Sequence, residues 1–543
     1  MRIALAQIDT TVGDIPGNAG RVREAAARAQ AAGAELVVFP EQTLGGYPAL
    51  DLWEDRDFLD AGEAALKDLA ESAGEMGLIV GCTVRSPKPM GKPILNSAAL
   101  LHRGRIKALR AKTLLPTYDV FDERRYFEPA AGNALLRFGG LRIGLTICED
   151  AWSQAPGRPQ QLYRHDPVAA QARAGAELLI NMAASPFERD KSGLREKLLG
   201  RHARRAGLPL LYCNLVGGDD ELIFDGHSLV LDSRGRVAMR GAAFAEDLVM
   251  VDTERLPKNA PAYGLSDIGE VEAALVLGIR DYLRKCGMAK AFVGLSGGID
   301  SAVVCALAAR ALGPKAVTGV AMPSLYSSPG SLADAEALAR NLGIRFLKIP
   351  ITEMYESYLR ALGWPLQAEV GLAEQNIQAR IRGSALMALT NKEGGIVLST
   401  GNKSELSVGY CTLYGDMCGG LAVIADLPKT TVYALARHLN RDGAVIPQNS
   451  IDKAPSAELK PKQKDQDDLP EYEKLDGILQ AYVEEGKSAA EIVRRGFSKA
   501  LVRDVLKRID RSEYKRRQAA PALKISPKAF GAGRRMPVAR GSF

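Results

Sequence analysis

Two α/β domains joined by a short linker are the fold that the sequence predicts, and three observations predict it. The chain has 543 residues, more than a single core of ordinary size organises. In both halves, short apolar runs alternate with amphipathic stretches, many of them Ala-rich, as strands interleaved with helices do. Between the halves, TERLPKNAPAYGLSD (253–267) has two prolines, a glycine and few apolar residues, the composition of a linker. The expected division is 1–252, linker 253–267, and 268–543.

In the first half the strand-like runs are IALAQID (3–9), ELVVFPE (35–41), LIVGCTV (78–84), RIGLTICED (142–150), ELLINMAAS (177–185) and PLLYCNLVGG (209–218). RVREAAARAQAAG (21–33) between the first two is helical by composition and is closed by Gly33. In the second half AFVGLS (291–296) reads as a strand and DSAVVCALAARALG (300–313) as a helix. KAVTGVAMP (315–323), RFLKIPI (345–351) and GGIVLST (394–400) read as further strands. This is a doubly wound pattern, with ligands expected at the carboxyl ends of the strands. The polar stretch Asn449–Glu473 reads as either an active-site loop or a surface loop. From Asp510 to Phe543 there are nine Lys or Arg and two acidic residues, which reads as a solvated basic tail.

Composition narrows the class. The chain is 46% hydrophobic and 25% charged, as soluble globular proteins are. A net charge of +7, from 71 basic and 64 acidic residues, suits anionic nucleotides and does not call for nucleic acid. The seven cysteines are scattered and form no C-x-x-C pair, and the five histidines form no H-E-x-x-H pattern. Reduced thiols of a cytoplasmic enzyme fit better than disulfides or zinc. The N-terminus lacks a signal-peptide core, and no run of about 18 apolar residues predicts a membrane span.

Three residues of the first half stand at or near strand ends. Glu41 follows LVVFP, Lys112 opens KTLLPTYDVFDERRYF (112–127), and Cys148 ends RIGLTIC just before Glu149 and Asp150. A lone cysteine in an apolar strand reads first as core; the meaning lies in the ordered set Glu, Lys, Cys. That set resembles the nitrilase-type amidohydrolase superfamily, and its glutaminase branch in particular, over roughly residues 1–250. The resemblance implies a four-layer αββα sandwich. It implies Cys148 as nucleophile, Glu41 as the group that takes and returns a proton, and Lys112 as the cation that stabilises developing negative charge and lowers the thiol pKa. It also implies that Tyr118, Ser185 and Lys191 contact L-glutamine.

GLSGGIDS (294–301) is the most specific string in the chain. It follows a strand and opens a helix. Gly297 and Gly298 permit a tight turn whose amides, with the helix N-terminus, form an anion site, and Ser296 and Ser301 add hydroxyls. It resembles the pyrophosphate loop of N-type ATP pyrophosphatases, and no Walker pattern is present. NIQARIR (376–382), STGNKSE (399–405) and SEYKRR (512–517) resemble NAD⁺ synthetases. With the glutaminase half, the resemblance covers nearly the whole chain. It implies an α/β adenine-nucleotide domain in which Gly294, Leu295, Ser296, Gly297, Gly298, Ile299, Asp300, Ser301 and Thr400 contact ATP. Asp300 and Glu405 would coordinate Mg²⁺, and Asn376, Glu405 and Lys515 would contact deamido-NAD⁺. A homo-oligomer is expected. The implied reaction is adenylation of the nicotinate carboxylate, then attack by ammonia. One position departs: ammonia-only relatives carry a lysine before the YGD string, and here Leu413 stands there.

Other readings fit less well. Another glutamine-fed adenylating amidotransferase of the GMP synthetase type uses Cys, His and Glu for its glutaminase. One of the asparagine synthetase type needs a cysteine where Arg2 stands. A tRNA-modifying ATP pyrophosphatase that inserts sulfur needs paired reactive cysteines, and Cys411 and Cys418 are the only close pair.

Overall fold

The computed structural model describes residues 1–153, 162–258, 260, 263–366 and 370–541. The chain divides into two units, Met1–Gly264 and Leu265–Phe543. The expected linker straddles that division, and its residues 259, 261 and 262 lie outside the described ones, as do 542 and 543 of the basic tail.

In the first unit β1 (Arg2–Gln7), β2 (Leu36–Val38) and β3 (Gly77–Arg85) pair in parallel. β4 (Ile94–His102) and β5 (Arg105–Ala111) continue the sheet antiparallel. A second sheet takes β6 (Leu136–Phe138), β7 (Leu141–Ile147), β8 (Leu178–Ala183) and β9 (Leu210–Asn214). The run 209–218, read as one strand, breaks at Leu215. Its end becomes β10 (Val216–Asp219), which forms a separate hairpin with β11 (Leu222–Asp225). β12 (Leu229–Leu231) and β13 (Val237–Arg240) complete the second sheet, and β14 (Asp247–Asp252) returns to the first beside β1.

Period-2 alternation builds the layers. Ile3, Leu5, Leu36, Val38, Ile79, Ala98 and Leu100 face the second sheet, where they join Ile143, Leu145, Leu178 and Ile180 in one core. Their neighbours Ala4, Ala6, Val37, Leu78, Val80, Ala99 and Leu101 face the other way. They pack on α1 (Ile15–Ala31) and α2 (Arg56–Ser72) through Val22, Ala25, Ala29, Leu66 and Leu69. α3 (Pro167–Arg173) and α4 (Lys191–Ala206) cover the second sheet. The result is an αββα sandwich.

The second unit holds one parallel sheet of β15 (Ala291–Gly294), β16 (Val317–Ala321), β17 (Arg345–Lys348), β18 (Ile396–Ser399) and β19 (Leu421–Ala422). The strand order is β17-β16-β15-β18-β19, so the order reverses beside β15. α5 (Asp267–Lys285) packs on α6 (Ile299–Leu312), which runs along β15 and β16; α7 (Pro329–Leu342) lies against β16 and β17. α8 (Thr352–Ala361) and α9 (Leu372–Glu393) close on Phe292, Val320 and Val397 through Tyr355, Leu359, Ile377 and Ile381. The remaining α-helices are α10 (Lys403–Val408), α11 (Lys429–Leu439), α12 (Gln448–Asp452), α13 (Tyr472–Leu479), α14 (Ala489–Arg494), α15 (Lys499–Arg511) and α16 (Glu513–Arg516). Val408 of α10 joins α13 and α15 in a small helical core. No described helix is long and apolar enough to cross a membrane.

The C-terminal segment is not a solvated tail. Arg516, Lys524 and Arg534 are buried. Arg516 donates to the carbonyls of Leu406, Ser407 and Ile509 and to Glu513, and its guanidinium lies over Phe530. Lys524 donates to the Ser526 carbonyl at 2.9 Å, and Arg534 lies 3.6 Å from Glu513 with its guanidinium over the rings of Tyr482 and Phe530, so each buried charge has a partner.

Candidate functional site

Each unit gathers part of its predicted set at strand ends. In the first, Glu41 lies just past β2, Lys112 follows β5 and Cys148 follows β7. Glu41 and Lys112 are each 1% exposed, and Cys148 is buried too. The Lys112 ammonium donates to Glu41 Oε1 at 2.7 Å. Asn96 Nδ2 donates to the same oxygen at 2.7 Å, and the Ala184 N–H donates to Glu41 Oε2 at 3.0 Å. Cys148 has φ of +41° at the strand-to-helix turn, a backbone state that costs a residue with a Cβ about 1–3 kcal/mol.

The expected lowering of the Cys148 pKa is not what the site produces. Burial and then the Glu41 carboxylate push the thiol well up, against a smaller pull from Lys112. In a low-dielectric interior the cost of an unsolvated thiolate exceeds what one ammonium, already paired with carboxylates, returns. The resting residue is a thiol and needs a base.

Glu123 is a member the sequence reading missed. Its Oε1 accepts from Lys112 Nζ at 2.7 Å and from the Tyr47 hydroxyl at 2.8 Å. Burial pushes its carboxyl up to about 7, with Lys112 pulling down and Glu41 pushing up. Two carboxylates thus share one ammonium. The only signal in the sequence was an acid inside the aromatic stretch 112–127.

Of the residues expected to contact glutamine, Tyr118 and Lys191 lie beside the Cys148 turn and Ser185 lies next to the amide that binds Glu41. The Tyr118 hydroxyl donates to Glu149 Oε2 at 2.8 Å, and Tyr163 donates to Glu149 Oε1 at 2.9 Å. Ser185 follows the Ala184 amide that binds Glu41, and Asn214 holds both its N–H and its carbonyl. Lys191 donates to the Pro186 carbonyl at 2.8 Å and lies over the ring of Trp152.

In the second unit a cavity of about 300 Å³ opens at the carboxyl ends of β15 and β18. Gly294, Leu295, Ser296, Gly298, Ile299, Asp300, Ser301, Thr400 and Glu405 all line it. Gly297 stands behind the wall, and its carbonyl accepts from the Ser450 hydroxyl at 2.8 Å. Its φ is +76°, and a Cβ there would sit 2.2 Å from the Ser331 carbonyl oxygen, so only glycine fits. Ser296 and Ser301 hydroxyls lie 3.2 Å apart across the turn.

Asp300 and Glu405 flank the buried Lys429, which is ion-paired to both. Asn402 Nδ2 donates to Asp300 Oδ1 at 3.0 Å. Burial pushes the Glu405 carboxyl up to about 8; Lys429 opposes this, and Asp300, Asp465 and Asp416 add to it. Among the described residues, no group of three or more His, Cys, Asp or Glu is arranged to hold a metal by itself. A hard cation that takes one or two carboxylates and completes its shell with phosphate oxygens and water matches such a pair.

Asn376 and Lys515 stand one residue back. The Thr412 hydroxyl, on the cavity wall, donates to Asn376 Oδ1 at 2.8 Å. Lys515 donates to the carbonyls of Gly409 and Cys411 at 2.8 and 2.6 Å. Arg382 and Lys429 line the cavity and were missed. Arg382 donates to the Met322 carbonyl at 3.0 Å, and burial draws its pKa down to about 10. The polar stretch read as a loop is part of the site: residues 453–459 and Asp465 line the cavity. Glu458 there accepts from the Ser328 N–H and from the Ser328 and Ser331 hydroxyls, and Lys453 pairs with Asp334.

Comparison with known proteins gives one answer over the whole length. A carbon-nitrogen hydrolase family model matches residues 2–255 and an NAD synthase model matches 271–519. The chain is similar to the glutamine-dependent NAD(+) synthetase of Synechocystis, at 47% identity over 99% of this chain and 98% of the relative. It is 41% identical to that of Thermotoga maritima over the same shares. The solved glutamine-dependent NAD+ synthetase from Acinetobacter baumannii, in complex with adenosine diphosphate, superposes with a TM-score of 0.78 at 37% identity, covering 99% of this chain and 98% of that one.

Proposed function

This chain belongs to the glutamine-dependent NAD(+) synthetases, and from that premise we propose how its residues divide the work. It is a ligase that makes NAD⁺ from deamido-NAD⁺ with glutamine as nitrogen source, and its C-terminal unit binds ATP.

In the N-terminal unit, the Cys148 sulfur attacks the glutamine carboxamide carbon. Glu41 takes the thiol proton and delivers it to the departing nitrogen, so that ammonia leaves and a thioester remains. Lys112 holds Glu41 in place and faces the oxyanion as charge develops. Water, with Glu41 again as base, then releases glutamate. Tyr118, Ser185 and Lys191 bind the glutamine. The raised thiol pKa supports proton removal in concert with attack rather than before it.

In the C-terminal unit, the loop 294–301 and Thr400 bind ATP. The nicotinate carboxylate attacks the α-phosphate and pyrophosphate leaves. Ammonia then attacks the acyl-adenylate and AMP leaves with the electron pair of the broken bond. Asn376, Glu405 and Lys515 serve the deamido-NAD⁺ side. Asp300 and Glu405 would hold Mg²⁺, which when bound offsets phosphate charge. We read the enzyme as a cytoplasmic homo-oligomer; its seven free cysteines support the compartment.

The observation that carries the reading is the buried Glu41–Lys112 pair beside Cys148, in one chain with the switch-point cavity. Mass spectrometry of a reaction containing deamido-NAD⁺, ATP and glutamine tests it. NAD⁺, AMP, pyrophosphate and glutamate are expected in equal amounts. ADP in place of AMP would overturn the adenylation step.

A further inference from the structure

The nucleophile and its partners come from different sheets. Lys112 follows β5 in the first sheet, whereas Cys148 follows β7 in the second. Apolar packing between the sheets is non-directional. Covalent catalysis demands a fixed spacing, because a displacement of about 1 Å can cost about 100-fold in rate. Something must fix the spacing at the catalytic end.

Asp150 is placed to do so. Its carboxylate is buried and accepts three backbone N–H groups. Oδ1 takes those of Thr113 at 3.0 Å and Leu114 at 2.8 Å. Oδ2 takes that of Ile147 at 3.0 Å. Thr113 and Leu114 directly follow Lys112, and Ile147 directly precedes Cys148. One side chain therefore staples the two catalytic segments together. It also closes the turn that holds Cys148 at φ +41°, which nothing in an alanine-like backbone preference would favour. Only a carboxylate offers two acceptor oxygens; an asparagine in its place turns an N–H donor on one of the two sides.

We propose that Asp150 is the positioning residue of the glutaminase site, setting the distance between Cys148 and the Lys112–Glu41 pair. This rests on Cys148 being the nucleophile. Burial pushes the Asp150 carboxyl up to about 7, with its backbone donors and Lys112 opposing.

The test is Asp150→Asn, with Cys148→Ala in parallel. In the Asn variant the kcat for glutamine hydrolysis should fall about 100-fold, with KM for glutamine nearly unchanged and ammonia-supported NAD⁺ formation retained. A KM rise at constant kcat, or wild-type turnover, would overturn the proposal. If Cys148→Ala still hydrolyses glutamine, the underlying reading fails instead. A second measurement holds even if the Asn variant does not fold. In the unmodified enzyme, amide exchange at Thr113, Leu114 and Ile147 should be as slow as in the flanking strands. Exchange at loop-like rates there would refute the staple.

Discussion

Cys148 is a case where neighbouring charges and burial pull in opposite directions. Lys112 favours the thiolate, but its ammonium already serves Glu41 and Glu123, and burial with the Glu41 carboxylate keeps the thiol protonated. The consequence is a pH dependence opposite to that of an ion-paired catalytic cysteine. A depressed thiol is already ionised at neutral pH and alkylates at a pH-independent rate. Cys148 should alkylate slowly at pH 7 with iodoacetamide, faster as pH rises through 9, and without a plateau below 8.5, the range of an ordinary thiol. A plateau near neutrality would show a resting thiolate. Glu41 and Cys148 stand at the ends of apolar runs, whereas Lys112 follows the charged stretch RIKALRA and was legible only as the middle member of the ordered set Glu, Lys, Cys. Glu123 and Asp150 were not legible: one sits in a stretch of mixed aromatic and charged residues, and the other is read naturally as a polar residue after a strand.

The turn between β15 and α6 shows why a short element can be recognised from sequence and its partners cannot. GLSGGIDS is contiguous, so strand, turn and helix start are written in eight adjacent letters. The walls around it come from separate segments. Arg382 lies on α9, Lys429 opens α11 and Glu458 follows α12. None of these is unusual in its own neighbourhood, and only the parallel sheet brings them to one cavity. Gly297 links the two kinds of information. A methyl group there meets the Ser331 backbone at 2.2 Å and has the wrong φ. Gly297→Ala should therefore displace the turn from α7 and reduce NAD⁺ synthesis about 100-fold with glutamine or ammonium salt alike. Wild-type rates with either donor would mean that the turn relaxes without losing its grip on phosphate.

At the scale of the whole chain, alternation of apolar runs was enough to predict two α/β units. The order of strands within their sheets was not, because pairing partners are set by packing between distant segments. The run 209–218 illustrates this: its two halves enter different sheets although they are contiguous in the sequence. Each unit has its own hydrophobic cores and its own set of polar groups. The proposed chemistry is divided in the same way, with amide hydrolysis on one unit and adenylation on the other. Removing the nucleophile of the first should leave the second intact, since groups that act as one catalytic unit fail together and groups on separate units do not. The direct measurement is NAD⁺ formation by Cys148→Ala with two nitrogen donors. Glutamine should support none, because no thioester forms, while ammonium salt should support synthesis at close to the wild-type rate. Glutamine-driven synthesis by that variant, or loss of both activities in a folded protein, would contradict the division.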